Sequence, residues 1–352
     1  MAVERAPGNP VLTPTMVPPS RPDFEVKGVF NPAAVQMGDE TVLLLRVAEA
    51  PKDVDPAEVA APILDPASGR VEVRRWRRDT PGLRAEDPRV FTAEGATYLT
   101  SISHLRRARS ADGFRFEVEA TPALTPEEPS ETFGVEDPRV TALEGAWWVT
   151  YTAVSSWGIA TAAAVSSDLR RFSRRGLLFA PPNRDVALFP EMVGGRYLAL
   201  HRPMTEGIGR PSIWLASSPD LVSWGRHAPL AAPRSGCWDD VKVGAGAPPF
   251  RVHAGGAEPW LALYHGVGSS PPAYSLGALL LEGGDPSRVL GRSREPFLVP
   301  EASYERHGFF GSVVFTCGAF LQDGRVRVYY GAADAFTAVA DVPLDDILAG
   351  LE

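Results

Sequence analysis

Glu86-Asp-Pro-Arg-Val90 and Glu136-Asp-Pro-Arg-Val140 are the same five residues, 50 positions apart. The likeness continues downstream, where Phe91-Thr-Ala-Glu-Gly-Ala-Thr-Tyr-Leu-Thr100 aligns with Thr141-Ala-Leu-Glu-Gly-Ala-Trp-Trp-Val-Thr150. A period of this size marks a propeller or a solenoid. Further segments share the pattern of an apolar strand, a Gly or Asp turn and a second apolar strand. They are Val29 to Val47 around Gly38-Asp39, Leu188 to His201 around Gly194-Gly195, Pro248 to Tyr264 around Gly255-Gly256, and Val313 to Gly331 around Asp323-Gly324. Glycine supplies the positive φ of such turns, and Val, Tyr, Trp, Phe and Leu suit the flanks. Repeat starts at 31, 86, 136, 188, 246 and 312 lie 50 to 66 residues apart, about one four-stranded blade each. Six hairpins allow five or six blades. Helical periodicity is confined to the tail, Leu344 to Leu351.

The expected architecture is therefore a single all-β propeller spanning 1–352. Residues 1–24 read as an extended arm, either a strap on the chain's own surface or a reach to a second subunit in a homo-oligomer. The Pro-rich, then Arg-rich stretch 52–80 reads as an exposed insertion.

With 44% hydrophobic residues in 352, the chain can bury a large core. Its net charge of -8 argues against a nucleic-acid partner, which needs a basic face. No apolar run reaches the roughly 20 residues of a membrane span. The N-terminus lacks a basic stretch followed by an apolar one, so no signal peptide is expected. The two cysteines, Cys237 and Cys317, read as unpaired buried thiols of a reducing compartment, which suggests the cytoplasm.

In a propeller the polar residues at strand ends gather at one mouth of the central channel. The second Glu-Asp-Pro-Arg copy reads as functional there. The first reads as structural, with Asp87 capping a turn and Arg89 pairing with a neighbour. Downstream follow Asn183-Arg184-Asp185, His201-Arg202-Pro203, Lys242, Tyr264-His265 and Asp334, each at the end of an apolar strand. Taken alone, His201 and His265 read as hydrogen-bonded core histidines. No His, Cys and acid cluster has metal-ligand spacing, and phosphate-loop, dinucleotide and nucleophile-elbow patterns are missing. No metal or organic cofactor is expected.

Taken in order, Asn31-Pro-Ala with Leu45-Arg-Val, Glu136-Asp-Pro-Arg, Asn183-Arg-Asp, Phe189-Pro-Glu, Leu200-His-Arg-Pro, Lys242-Val-Gly-Ala-Gly, Tyr264-His-Gly-Val and Tyr330-Gly-Ala-Ala-Asp form a specific set. Over nearly its whole length the chain resembles glycoside hydrolase family 130, the inverting β-mannoside phosphorylases. Phe24 to Asn31 and Gly308 to Gly318 look most like the branch acting on β-1,2-linked mannobiose and mannooligosaccharides. The family usually has Asn where Ser312 stands, and more often Lys where Arg184 stands. Only three of the 35 basic residues are lysines, and Arg184 keeps the charge.

The resemblance implies a five-bladed propeller with its site in the central channel. It implies Asp137 as general acid, its proton passing through a sugar hydroxyl, and inorganic phosphate as co-substrate. Arg184, Arg202, Lys242, Tyr264 and His265 would bind phosphate. Asn31, Arg46, Glu136, Asp185 and Asp334 would bind the sugar. Trp157, Tyr274 or Phe309 would stack on the acceptor. Inversion needs an acid on the leaving oxygen and an attacker on the opposite face. Phosphate is already an anionic nucleophile, so it needs cations rather than a base. A raised Asp137 pKa is expected, through like-charge pressure from Glu136. A β-1,2-mannosidase, a β-1,4-mannosyl phosphorylase and a non-catalytic glycan-binding propeller are the alternatives.

Overall fold

The computed structural model describes residues 2–205 and 207–352. Over them the regular secondary structure is nearly all strand, with short α-helices at Ser303–Arg306 and Leu344–Ala349. The tight turns fall where expected. Phe24–Met37 and Glu40–Pro51 turn at Gly38-Asp39, and Val314–Gln322 and Arg325–Ala332 turn at Asp323-Gly324.

The main sheets are antiparallel runs of strands mostly consecutive in sequence. Phe24–Met37, Glu40–Pro51 and Ile102–Ser110 form the first run, with Glu117–Val118 on its edge. Gly134–Leu143, Ala146–Ser155, Gly158–Ser166 and Ser173–Phe179 form the second. One parallel pair, Gly134 with Ser103, joins these two into an eight-stranded sheet. The third run is Asn183–Leu188, Tyr197–Pro203, Ile213–Ser218 and Gly225–Ala231. The fourth is Lys242–Ala245, Trp260–Ser269, Pro272–Leu281 and Val289–Arg292, with Phe250–Arg251 on the side. The last is Val314–Gln322, Arg325–Ala332 and Phe336–Pro343, and its fourth strand is Glu4–Arg5 from the other end of the chain.

Apolar side chains fill the gaps between neighbouring sheets. Leu261, Leu263, Leu276, Val326, Val328 and Val342 lock the fourth sheet to the last. Val42, Leu44, Val135, Val149 and Tyr151 lock the first run to the second. Full burial of each aliphatic side chain contributes about 1.5–3 kcal/mol. The first strands of consecutive sheets lie beside one another, Phe24–Met37 against Gly134–Leu143 and Val314–Gln322, and Gly134–Leu143 against Asn183–Leu188. Residues on these first strands therefore converge.

Three expectations need correction, and one open alternative is decided. The repeat start at 86 opens no main sheet, because Val90–Ala93 and Ala96–Leu99 pair only with each other. The insertion is not wholly exposed: it is a hairpin, Glu58–Asp65 with Arg70–Arg77, whose Val59, Ala61 and Ile63 are buried against Phe91, Phe133 and Val154. The arm lies on its own chain, with Leu12 bridged to Thr337 and Val11, Leu12 and Val17 in the core. Cys317 is free and buried, whereas Cys237 is free but exposed. Among the described residues no helix is long and apolar enough to cross a membrane.

Candidate active site

Three of the converging strands are broken in the same way. The pairing register shifts between Phe30 and Ala33, between Glu136 and Arg139, and between Arg184 and Ala187. At each shift one residue takes left-handed backbone: Asn31 (φ 48°), Asp137 (φ 49°) and Asp185 (φ 59°). Asn and Asp tolerate that region better than other side chains. A bulge suspends the alternation of a regular strand. Thus Glu136 and Asp137, adjacent in sequence, both reach one guanidinium. Arg46 donates to Glu136 Oε1 at 2.7 Å and to Asp137 Oδ1 at 2.9 Å. Asn31 Nδ2 donates to the same Asp137 oxygen at 2.8 Å. Ser103 Oγ accepts from Arg46 Nε at 3.0 Å and fixes the guanidinium plane.

Asn31, Arg46, Glu136 and Asp137 line a cavity together with Arg89, Arg184, Tyr274, Phe310, Val313, Phe315 and Asp334. Asp334 (φ 51°) sits on the turn after Arg325–Ala332, and Arg89 approaches its carboxylate at 3.4 Å. The Arg89 guanidinium lies 3.6 Å from the Phe310 ring centre.

A layer of cations lies beneath. Asp185 takes Arg202 at 2.9 Å and Arg139 at 3.2 Å, with His265 Nε2 at 3.6 Å. Gly244 permits this crowding, since a Cβ there would overlap the Asp185 carboxylate and the His265 ring. Arg184 and Lys242 have no salt bridge among the described residues. Arg184 Nε and Arg202 Nε are buried without a hydrogen-bond partner. Lys242 Nζ lies 4.7 Å from the centre of the Tyr274 ring, which lines the cavity. One carboxylate thus serves two guanidinium groups while two further cations have no salt bridge among the described residues, a combination that favours a bound anion.

The titrating groups follow from these contacts. Burial raises the Asp137 carboxyl, but Arg46, Asn31 and Arg184 outweigh it and hold the group below the usual range. Burial with the Asp137 charge lifts Glu136 despite Arg46. The expected order is therefore reversed: Glu136 is the carboxyl pushed up and Asp137 the one held down. Burial lifts Asp334 to about 6 against Arg46 and Arg89. Burial keeps His265 neutral, well below its ordinary value.

Of the residues expected at the site, Asn31, Arg46, Glu136, Asp137, Arg184 and Asp334 line the cavity. Asp185, Arg202 and His265 stand behind it, each almost fully buried, and Lys242 lies over the Tyr274 ring without lining the cavity itself. Tyr264 does not come to the cavity. Adjacent strand residues face opposite ways, and with His265 turned inward Tyr264 packs on Trp238 and bonds Asp239 at 2.8 Å. Among the aromatics Tyr274 lines the cavity, Trp157 is 78% exposed, and Phe309 borders a different cleft while its neighbour Phe310 lines this one. The sequence reading missed Arg89, although the repeated pentapeptide pointed at it. It also missed Phe310 and Phe315, which carry no signal beyond a strand-like context.

The description of glycoside hydrolase family 130, "beta-1,4-mannooligosaccharide phosphorylase", matches residues 101–352. The chain belongs to glycoside hydrolase family 130. Within the family it is 42% identical to a β-1,2-mannobiose phosphorylase of Listeria innocua, covering 100% of this chain and 99% of that one. It is 36% identical to a 1,2-β-oligomannan phosphorylase of Thermoanaerobacter sp., covering 72% of this chain and 82% of the relative. The solved complex of the Listeria innocua enzyme with β-1,2-mannobiose superposes with a TM-score of 0.94 at 41% identity, covering 99% of both chains.

Proposed function

We propose that this family 130 protein is an inverting phosphorylase of β-1,2-linked mannobiose and mannooligosaccharides, yielding α-mannose 1-phosphate and a shortened mannoside. The observation that carries the reading is the pair of cations without a salt bridge among the described residues, Arg184 and Lys242, together with Arg202 and a buried carboxylate pair. A hydrolase needs a second carboxylate as base and has no use for excess positive charge. The assignment to β-1,2 linkages, rather than the β-1,4 of the family description, rests on the relatives that align along the chain.

In this reading Asn31, Arg46 and Asp334 hold the mannosyl ring. Phosphate, held by Arg184, Arg202 and Lys242, attacks C1 from the face opposite the glycosidic oxygen. As the C1–O bond breaks, the leaving oxygen takes a proton that starts on Asp137 and passes through a sugar hydroxyl. Phosphate entering beside Arg184 offsets one of the charges that depress Asp137, so the acid gains its proton with its co-substrate. Asp185 and His265 hold the cations rather than the sugar.

The consecutive sheets are read as blades of a closed five-bladed propeller, one catalytic domain over 1–352. The unpaired thiols favour a cytoplasmic location. The test is the reverse reaction with α-mannose 1-phosphate and mannose. Phosphate release with a β-1,2 product by NMR is expected. A β-1,4 product would overturn the linkage. Hydrolysis of β-1,2-mannobiose in phosphate-free buffer, with no phosphate release in the reverse assay, would overturn the phosphorylase.

A further inference from the structure

Three of the sheets contain the same buried triad, built from residues far apart in sequence. In the second run Tyr151 donates to Glu131 Oε1 at 2.7 Å and Arg174 to Glu131 Oε2 at 3.2 Å. In the fourth sheet Tyr264 donates to Asp239 at 2.8 Å and Arg292 to the same oxygen at 2.6 Å. In the last sheet Tyr330 donates to Glu305 Oε1 at 2.7 Å and Arg5 to the same oxygen at 2.8 Å. The tyrosine always lies on the second strand of its run and the arginine on the outermost, which for the last sheet is Glu4–Arg5. Glu131, Asp239 and Glu305 are at most 1% exposed. Burial and the acid push all three phenols above their ordinary range, so they stay donors.

Each acid lies on the segment that leads into the first strand of its sheet, and each segment brings different groups to the cavity. Glu131 precedes the strand of Glu136 and Asp137. Asp239 precedes Lys242, and Val241 N is tied to Val267 O at 2.9 Å. Glu305 O accepts from Val313 N at 3.1 Å, closing the segment that carries Phe310 and Val313 to the cavity wall.

We propose that the triads are positioning devices with separable effects. Tyr151 with Glu131 sets the carboxylate pair, Tyr264 with Asp239 and Arg292 sets the phosphate cation Lys242, and Tyr330 with Glu305 and Arg5 sets the sugar-facing wall. The inference rests on the site roles proposed above and deepens them. It also gives Tyr264 a part in anion binding without contact. Loss of one such hydrogen bond corresponds to about a fivefold change in affinity.

The experiment measures Kd for inorganic phosphate and for β-1,2-mannobiose by calorimetry, with Tm, on the full chain. Tyr264→Phe is expected to raise the phosphate Kd about fivefold and leave the mannobiose Kd within about twofold. Tyr330→Phe and Arg5→Lys are expected to do the reverse. Tyr151→Phe is expected to leave both Kd values and move the pH profile of turnover. Arg292→Lys repeats the phosphate arm should Tyr264→Phe fail to fold. For the Tyr264, Tyr330, Arg5 and Arg292 variants, equal shifts of both Kd values, or a lower Tm with both unmoved, would overturn the inference; for Tyr151→Phe an unmoved pH profile would. A wild-type protein that binds neither ligand would instead overturn the site reading beneath it.

Discussion

In the first Glu-Asp-Pro-Arg copy the arginine faces the cavity and the aspartate does not; in the second the two exchange places. Asp87 accepts from the Arg89 backbone N–H at 2.8 Å and from its guanidinium at 2.8 Å, while Arg89 reaches Asp334 and Phe310. Asp137 lines the cavity, while Arg139 turns behind it to the backbone oxygens of Gly246 (2.7 Å) and Ala245 (2.8 Å) and to Asp185. The side chains are identical, so the backbone decides. Asp137 sits at a bulge with φ 49°, in a strand paired inside a main sheet. The first copy precedes a short hairpin outside those sheets, and Asp87 only caps its turn.

The sharpest test of this exchange sets Asp137→Asn against Asp87→Asn. Removal of a general acid is expected to lower phosphorolysis kcat about 10²- to 10⁴-fold, whereas Asp87→Asn should leave it within a few-fold. Equal losses would erase the distinction.

Stability should separate the arginines. Arg139→Met leaves Asp185 with one guanidinium fewer in a buried site and is expected to destabilise the fold by about 3 kcal/mol or more. Arg89 is a third exposed, so Arg89→Met should change urea stability by no more than about 1 kcal/mol.

Steady-state constants sharpen the contrast further. Arg89→Gln is expected to raise the mannobiose KM about tenfold and spare the phosphate KM; Arg184→Gln should do the opposite. An Arg89 variant defective for phosphate would place it among the anion ligands.

A pH-dependent effect concerns the partner of Arg89. Asp334 rises from 3.8 to about 6 in the folded chain. Between those values the folded state holds a proton that the unfolded state releases. Ionised Asp334 therefore disfavours folding above about pH 6, and the penalty fades as pH falls toward 4. Asp334→Asn should melt higher than wild type at pH 7.5, with the difference closing near pH 4.5. A constant difference would show that Asp334 does not titrate in this range.

Alternating apolar runs and Gly or Asp turns made the hairpins legible, because both signals are local. The ordered motifs located Asn31, Asp137, Arg184 and Asp334 for the same reason. What stayed hidden depends on which face a residue takes or on partners far along the chain. Tyr264 was assigned by its neighbour His265, yet strand alternation sends them opposite ways. The hairpin at 90–99 looks in sequence like a main-sheet repeat, and only its lack of outer partners distinguishes it. The pairing of Arg5 with Glu305 has no local trace, and neither do the register shifts that bring Glu136 and Asp137 to one arginine.

The pairing of Glu4 and Arg5 with Asp341 and Ala340 also constrains how the molecule is made. These strand residues are made long before their partners. Until Phe336–Pro343 is made, Glu4–Arg5 has no strand to pair with. Closure must wait for a contact spanning almost the whole chain, the kind that slows folding most and leaves a strand edge open to other chains meanwhile. A bulky fusion at the first residues would sit at that seam, so the yield of active protein should depend on which end carries a tag.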